Sequence, residues 1–163
     1  MSVPMTTLVI AALLGCALIG GVFFAFSSFV MKSLARLPSA EGIAAMQSIN
    51  IVVLNRSLLG AFMGTAAIAL LLIVLALAQW DTGASPYLLA GATLYLVGTF
   101  SLTLIGNVPL NDRLAAVVAP DASAVPVWEH YLERWTLFNT LRTAAAIAAA
   151  AMFTLGLIGG THV

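Results

Sequence analysis

Charge is what this sequence lacks most. Lysine, arginine, aspartate and glutamate together make up 7% of the 163 residues, whereas 62% are hydrophobic. A soluble domain carries roughly 25% charged residues, so a chain this poor in charge must leave much of its surface to lipid. Because the formal net charge is zero and no basic run is present, we expect no nucleic acid as a partner.

Several catalytic and ligand-binding sequence motifs are also absent. The single cysteine, Cys16, allows no internal disulfide, and no histidine stands near it in sequence. Neither a Ser-His-Asp pattern nor a glycine-rich phosphate loop is present. No basic residue precedes Lys32, so the long apolar N-terminal run is predicted to be a membrane span and not a secretory signal.

Long apolar runs are what the sequence contains instead. A membrane-spanning helix needs about 20 mostly apolar residues, and in lipid only helices and closed barrels satisfy every backbone group. The runs lack the period of two that barrel strands show. We therefore predict an all-α fold in a single domain, 1–163, in which four transmembrane helices form a bundle. The predicted spans are about 6–30, 57–79, 86–106 (extended by 107–118) and 128–160.

The basic residues predict the orientation of the bundle. All six lie within 31–56 or 107–142, whereas the termini and the second loop have none. By the positive-inside rule, the loops 31–56 and 107–142 are predicted to be cytoplasmic and both termini to be outside. The alanine-rich composition favours a bacterial protein, and hence the bacterial inner membrane.

The first of these loops contains a short amphipathic helix. Ile43, Met46, Gln47, Asn50 and Leu54 fall on one helical face, which places two amides inside an apolar stripe. This helix either lies among the lipid headgroups or covers the cytoplasmic mouth of the bundle. Because interfacial helices of this kind are common, the first interpretation is favoured.

An aromatic stripe leads into the fourth span, which is predicted to begin with a juxtamembrane extension. Spacings of three, four, four and three align five side chains on one helical face: Trp128, Tyr131, Trp135, Asn139 and Arg142. The stripe is either an aromatic belt with a snorkelling arginine at the membrane interface, or a flat aromatic pocket with an amide and a guanidinium at its inner end. The residues support both interpretations about equally.

The third span ends in a polar segment, Asn107-Val-Pro-Leu-Asn111. Pro109 has no N–H group and is predicted to kink or break the helix, which frees carbonyls near residue 105. Asn107 and Asn111 share a face if the helix persists. Taken alone, these residues slightly favour an ordinary helix end over a polar pocket.

No metal or haem site is predicted. His130 points away from Glu129 on a helix, and the Glu-x-x-His pairing of di-iron bundles is absent. His130 and His162 are predicted on opposite sides of the membrane, which excludes bis-histidine haem ligation within one subunit. Two small-residue motifs, Gly60-x-x-x-Gly64 and Gly156-x-x-x-Gly160, favour close helix packing inside the bundle and leave a homo-oligomer open.

Four motifs together resemble the anthrone oxygenase-like family of small four-helix membrane proteins: GVFFAFSSFVMKSLARL, AMQSIN, NVPLNDRL and WTLFNTLRT. The resemblance extends from about Gly20 to Ala150. The family's closing pattern of tryptophan, asparagine-histidine and arginine-threonine corresponds to Trp135, Asn139, Arg142 and Thr143. This chain has Thr140 where many relatives have the histidine.

The resemblance implies an oxidoreductase. Characterised members of that family oxidise anthrones to anthraquinones with O₂ and without a cofactor, so no cofactor and no metal are expected. On this hypothesis Arg142 and Asn139 are the catalytic residues, as stabilisers of an enolate oxygen. The substrate-binding residues are then predicted to be Asn107, Asn111, Tyr131, Trp135 and Trp128. The general base stays unassigned.

A non-enzymatic alternative uses the same residues. A membrane scaffold or lipophile-binding protein, with membrane lipids and a small lipophilic or aromatic ligand as partners, would use the stripe for packing and anchoring. The two hypotheses differ in geometry, because a site requires Asn107, Asn111, Asn139 and Arg142 to converge on one cavity. The third span should end where the aromatic stripe begins, and this, with the resemblance, slightly favours a pocket.

Overall fold

A computed structural model of the protein describes residues 2–80 and 83–160. Within these residues the fold contains helices and no strand. The helices are α1 (Val3–Leu34), α2 (Ser39–Val52), α3 (Arg56–Ala78), α4 (Ser85–Ala115) and α5 (Val125–Gly159). All except α2 are long and apolar enough to cross a membrane. The predicted all-α bundle of four spans, with a short helix between the first two, is confirmed.

Two of the spans are longer than the sequence suggested. The first continues past residue 30 to Leu34, because the π-helical turn Phe26–Val30 leads into a further α-helical turn. The fourth begins at Val125 and not at 128, directly after the 3-10 turn Ala122–Ala124. A proline in its first turn is tolerated there because the first N–H groups of a helix have no helical partner.

The helix α4 does not break at Pro109, contrary to one form of the prediction. Its segments Leu94–Ser101 and Thr103–Asn107 are π-helical, and Val108–Ala115 is α-helical again. Pro109 therefore lies in the first turn of an α-helical stretch, where the missing N–H costs little. The predicted span and its extension are consequently one helix that ends at Ala115.

The helix α2 packs onto one end of the bundle. Its Ile43 and Met46 are fully buried in a hydrophobic cluster with Leu114 of α4 and Trp128 of α5. This face of α2 therefore packs on the bundle as a cover and is not turned toward the lipid headgroups, the interpretation that the sequence alone favours. Apolar residues at the corner between α2 and α3 stay exposed, including Ile51.

The glycine motifs have different surroundings. Gly156 of α5 packs against Leu88 of α4, since a Cβ there would lie 2.8 Å from the Leu88 side chain. Gly60 and Gly64 of α3 would meet nothing within 4 Å, so this motif faces outward and does not serve packing inside the bundle. A homo-oligomer stays a prediction.

Close approach of α4 to α5 gives a test of the packing. A Cβ at Gly98 would lie 2.6 Å from the Cβ of Ala145, which cannot move without its backbone. We expect Gly98→Leu to lower the free energy of unfolding in mixed micelles by about 2 kcal/mol relative to Gly60→Leu, because overpacked cores lose about 1–3 kcal/mol. Gly60→Leu makes the same replacement in a helix at a site with open space around it, so equal stabilities would contradict the packing of α4 on α5.

Candidate functional site

The aromatic stripe of α5 is buried as one continuous stack. The ring centroids of Trp128 and Tyr131 are 5.7 Å apart with an interplanar angle of 15°, and those of Tyr131 and Trp135 are 5.8 Å apart at 21°. Phe26 of α1 lies against the last ring, with its centroid 5.6 Å from that of Trp135. A membrane-interface belt would face lipid or headgroups, whereas these rings face the interior of the bundle.

Arg142 lies at the inner end of this stack. It is 5% exposed, so its side chain does not snorkel to the surface. Its Nε and Nη2 donate to Oδ1 of Asn139 at 3.1 and 2.8 Å, and its Nη1 donates to Oγ1 of Thr103 at 3.1 Å. The guanidinium Cζ also lies 3.7 Å from the centroid of the Phe23 ring.

The charge of this guanidinium is not neutralised within the described residues. All of the Arg142 hydrogen bonds there go to an amide or a hydroxyl, and none goes to a carboxylate. Buried charges in proteins are ordinarily paired, because desolvation of an isolated ion is costly. Amide dipoles and the π faces of Phe23 and Trp135 offset part of that cost. The site therefore offers a positive charge to an anionic group of a ligand.

Asn139 holds this arginine in place. Its Nδ2 donates to the carbonyl of Phe23 and to Oγ of Ser27, both at 2.7 Å, while its Oδ1 accepts from Arg142. Both amide protons are therefore engaged by α1, and none is left for a ligand. The geometry makes Asn139 a positioning residue for the guanidinium, behind the place where a ligand would bind.

A line of polar side chains on α4 faces α5. Its members are four residues apart: Thr99, Thr103, Asn107 and Asn111. Thr99 Oγ1 donates to the carbonyl of Arg142 at 3.1 Å, and Asn107 Nδ2 donates to the carbonyl of Trp135 at 3.1 Å. Asn107 Oδ1 is buried and has no hydrogen-bond partner among the described residues. These two hydrogen bonds hold α5 in a defined position along the π-helical segments of α4. Short π-helical segments within α-helices are frequent at functional sites.

Asn111 connects this line to the aromatic stack. Its Oδ1 accepts from Tyr131 Oη and from Trp135 Nε1, both at 2.8 Å. Asn50 of α2 donates to the same tyrosine oxygen at 3.4 Å. Hydrogen bonds from described residues thus reach only the oxygen of the Asn111 amide, so its Nδ2 protons are available to a ligand.

A cavity of about 270 Å³ lies between α1, α2, α3, α4 and α5. Three of the predicted site residues line it: Asn111, Trp135 and Arg142. The other four lie behind its wall and connect to it through the contacts described above: Asn107, Asn139, Tyr131 and Trp128. Of the four residues whose convergence on one cavity separates the two hypotheses, Asn111 and Arg142 line this cavity, whereas Asn107 and Asn139 lie behind its wall.

Sequence reasoning missed several lining residues. Phe23, Asn50 and Thr103 all contribute to the cavity wall. Thr103 carried a signal, because it stands four residues before Asn107 and therefore on its side of the helix. Asn50 stands as an amide in the apolar stripe of α2, but the sequence does not show which residues surround it. Phe23 lies in an apolar helix and is indistinguishable in sequence from its lipid-facing neighbour Phe24.

Histidines and carboxylates do not contribute to the cavity. None of the described lining residues is a histidine, aspartate or glutamate. His130 is exposed, and His162 lies outside the described residues. Thr140 is exposed and shares a hydrogen bond of 2.9 Å with Ser27. Among residues 2–80 and 83–160, no group of three potential metal ligands is found.

The sequence matches the family model described as anthrone oxygenase over residues 52–152. The chain belongs to the anthrone oxygenase family. No curated protein and no solved structure matches the sequence. Together with the four apolar spans, the match identifies an integral membrane protein of the anthrone oxygenase family.

The matched region contains most of the site. It covers α3, α4 and most of α5, and therefore includes Asn107, Asn111, Asn139 and Arg142. The helix α1 and nearly all of α2 lie outside the matched residues. Phe23, on α1, is therefore a cavity residue of this anthrone oxygenase family member that the match does not cover. The wall of the cavity thus includes residues of α1 and α2, which precede the matched region, as well as residues of α3, α4 and α5 within it.

Proposed function

We propose that this protein is a membrane-embedded, cofactor-independent oxygenase of flat aromatic, anthrone-like ketones. The observation that carries the proposal is the buried guanidinium of Arg142, which faces an apolar cavity with several aromatic side chains in its wall and has only neutral hydrogen-bond partners among the described residues. A charge in this position stabilises an enolate far better than it stabilises the neutral ketone.

The walls of the cavity suit a planar ligand. Rings from three helices line it, including Phe23, Phe62 and Trp135, and most of the other lining residues are aliphatic. Ligand sites are typically apolar pockets with a few placed polar groups. Here the polar groups are Arg142, Thr103, Asn111 and Asn50, so a ligand with one or two oxygens at its edge fits this pattern.

The proposed reaction uses the substrate's own electrons. Loss of a proton from the methylene carbon of an anthrone gives an enolate, which reduces O₂ and forms a peroxide at that carbon. The peroxide loses water and leaves a ketone, so one oxygen atom enters the anthraquinone and the other becomes water. The protein's contribution is to bind the ring system, exclude bulk water and favour the ionised form.

Each residue has a distinct part in this proposal. Arg142 stabilises the enolate oxygen, and Asn111 donates a second hydrogen bond to it. Asn139 and Thr103 orient the guanidinium, and Trp135 provides a wall of the pocket. No described lining residue supplies a carboxylate or an imidazole, so the general base stays unassigned, and the positive charge of Arg142 favours the ionised form of the ligand.

The proposal includes a location in the cell. With all six basic residues in the loops 31–56 and 107–142, we place these loops in the cytoplasm and both termini outside, in a bacterial inner membrane. The cavity then lies at the cytoplasmic end of the bundle, beneath α2.

Binding without turnover is the second candidate function. It is favoured by the same observation that leaves the general base unassigned, namely the lack of a described carboxylate or imidazole in the cavity wall. A lipophile-binding protein would use Arg142 to hold an acidic oxygen and would release the ligand unchanged.

Aerobic turnover separates the two candidates. Purified protein in lipid nanodiscs, treated with a metal chelator, is incubated with anthrone in air, and anthraquinone formation is followed beside empty nanodiscs. We expect formation well above the spontaneous rate, with one oxygen atom from ¹⁸O₂ in each ketone formed. A rate equal to that of empty nanodiscs, with anthrone bound, would instead establish the binding function.

A further inference from the structure

One side of the cavity is open to the lipid-facing surface of the bundle. Leu59 and Met63 of α3, and Leu104 and Val108 of α4, all line the cavity. The same four side chains are between 37% and 53% exposed, so they belong both to the inner wall and to the outer surface. We call these four residues the rim.

The opening exists because α3 and α4 diverge. The helix α3 packs against Ser85–Thr93 and Leu94–Ser101 of α4. Beyond Ser101, within the described residues, the two helices no longer pack closely, and the cavity occupies the space between them. The divergence begins just before Thr103 of α4, which accepts a hydrogen bond from Arg142.

Apolar surface surrounds the rim. Ile105, next to it on α4, and Ile51 and Val52 at the end of α2 are large, apolar and exposed. Leu54, at the corner between α2 and α3, lines the cavity and is itself 66% exposed, so the opening extends to this corner. Such residues are stable at a protein surface of this kind when they face acyl chains or the headgroup boundary. The opening is therefore directed toward the bilayer.

The water-facing end of the cavity is closed by α2. Its Gln47 Nε2 donates to the carbonyls of Leu114 and Val117 at 2.8 and 3.0 Å, which ties α2 to the end of α4. The side chains of Ile43 and Met46 on α2 are buried against the bundle, and Asn50 is hydrogen-bonded to Tyr131. A ligand arriving from the aqueous phase between α2 and α4 would have to break this cover.

We propose that the cavity takes its ligand laterally from the bilayer, through the rim between α3 and α4, while α2 stays in place as a cover. The inference rests on the proposed function and narrows its substrate class. The ligand must partition into lipid, must be planar enough to pass between two helices, and must be uncharged at the apolar rim. It becomes an anion only when it reaches Arg142.

The test measures ligand binding without chemistry. Trp80→Phe with Trp128→Phe leaves Trp135 as the sole tryptophan, and its fluorescence in vesicles reports the arrival of anthrone under nitrogen. We expect Met63→Phe and Val108→Phe each to slow both association and dissociation by about tenfold, because a narrowed passage raises the barrier in both directions. The equilibrium Kd should change far less than the rates.

Matched controls lie on the same helices away from the rim. Leu70→Phe on α3 and Val97→Phe on α4 change exposed residues that do not line the cavity, so both rates should stay as in the parent protein. A general effect of larger side chains on folding or insertion would appear in these variants as well. Unchanged rates in both rim variants would overturn the proposal.

A locked cover excludes the aqueous route. Gln47→Cys and Val117→Cys, in a Cys16→Ala background, are joined by a short bifunctional thiol reagent to fix α2 on α4. Lateral access predicts unchanged association after cross-linking, whereas a strong slowing would overturn it. Absence of any anthrone-dependent fluorescence change in the parent would overturn both proposals; binding through the rim without aerobic turnover would overturn only the oxygenase.

Discussion

The variant Arg142→Gln should lose anthrone oxidation by a factor of about 10²–10³ in kcat, the cost of removing one well-placed oxyanion donor. Gln keeps a side-chain amide that can still donate to Asn139 or Thr103, the two hydrogen-bond partners of the guanidinium. It removes the charge and leaves much of the packing. We therefore expect the loss in kcat with little change in stability, because removing an unpaired buried charge relieves its desolvation.

Arg134→Met is the matched control for this variant. Arg134 lies on the same helix, with its guanidinium Cζ 5.3 Å from the centroid of the Phe138 ring, but it does not line the cavity. We expect its turnover to equal that of the wild type. If Arg142→Gln keeps full activity, or if both arginine variants lose it equally, the assignment of Arg142 as the oxyanion stabiliser is wrong.

Asn139→Ala should reduce both stability and turnover. It removes the two hydrogen bonds to α1 and both bonds that the guanidinium makes to Oδ1. Since each buried group left unpaired costs about 1–3 kcal/mol, we expect the free energy of unfolding to fall by about 3 kcal/mol. The freed guanidinium loses its orientation, so kcat should fall while KM for a mostly apolar ligand changes less.

Ser27→Ala provides a graded comparison. It removes one of the two α1 acceptors of Asn139 and keeps the bond to the Phe23 carbonyl. The expected cost is about 1 kcal/mol, with most of the turnover retained. A Ser27→Ala protein as inactive as Asn139→Ala would mean that Ser27, and not the orientation of Arg142 by Asn139, is what turnover requires.

The sequence predicted the helices well because a single physical constraint dominates them. Runs of about 20 apolar residues have few solutions in lipid, so the four spans followed from composition. A break at Pro109, one of the two outcomes predicted there, does not occur, since α4 adopts π geometry just before that residue. The helical spacing of three and four residues applies to α-helices, and no residue type in Thr103–Asn107 predicts a π-helical turn.

The candidate site was predictable only in part. Spacing on α5 correctly put Trp128, Tyr131, Trp135, Asn139 and Arg142 on one face, and the structure buries that face. What spacing cannot give is which of these side chains reaches the cavity. Which side chain reaches the cavity depends on α1. The Phe23 carbonyl accepts a hydrogen bond from Asn139, and the Phe23 ring lies against the guanidinium of Arg142. Contacts between residues this far apart in the sequence produce no periodic pattern from which they could be predicted.

The central claim is that Arg142 holds its ligand as an anion. The most direct measurement is the absorption spectrum of anthrone bound to the protein under nitrogen, where no oxidation occurs, in the wild type and in Arg142→Gln. We expect the enolate spectrum in the wild type at a pH where free anthrone is neutral, and the neutral spectrum in the variant. A neutral spectrum for bound anthrone in both proteins would contradict it.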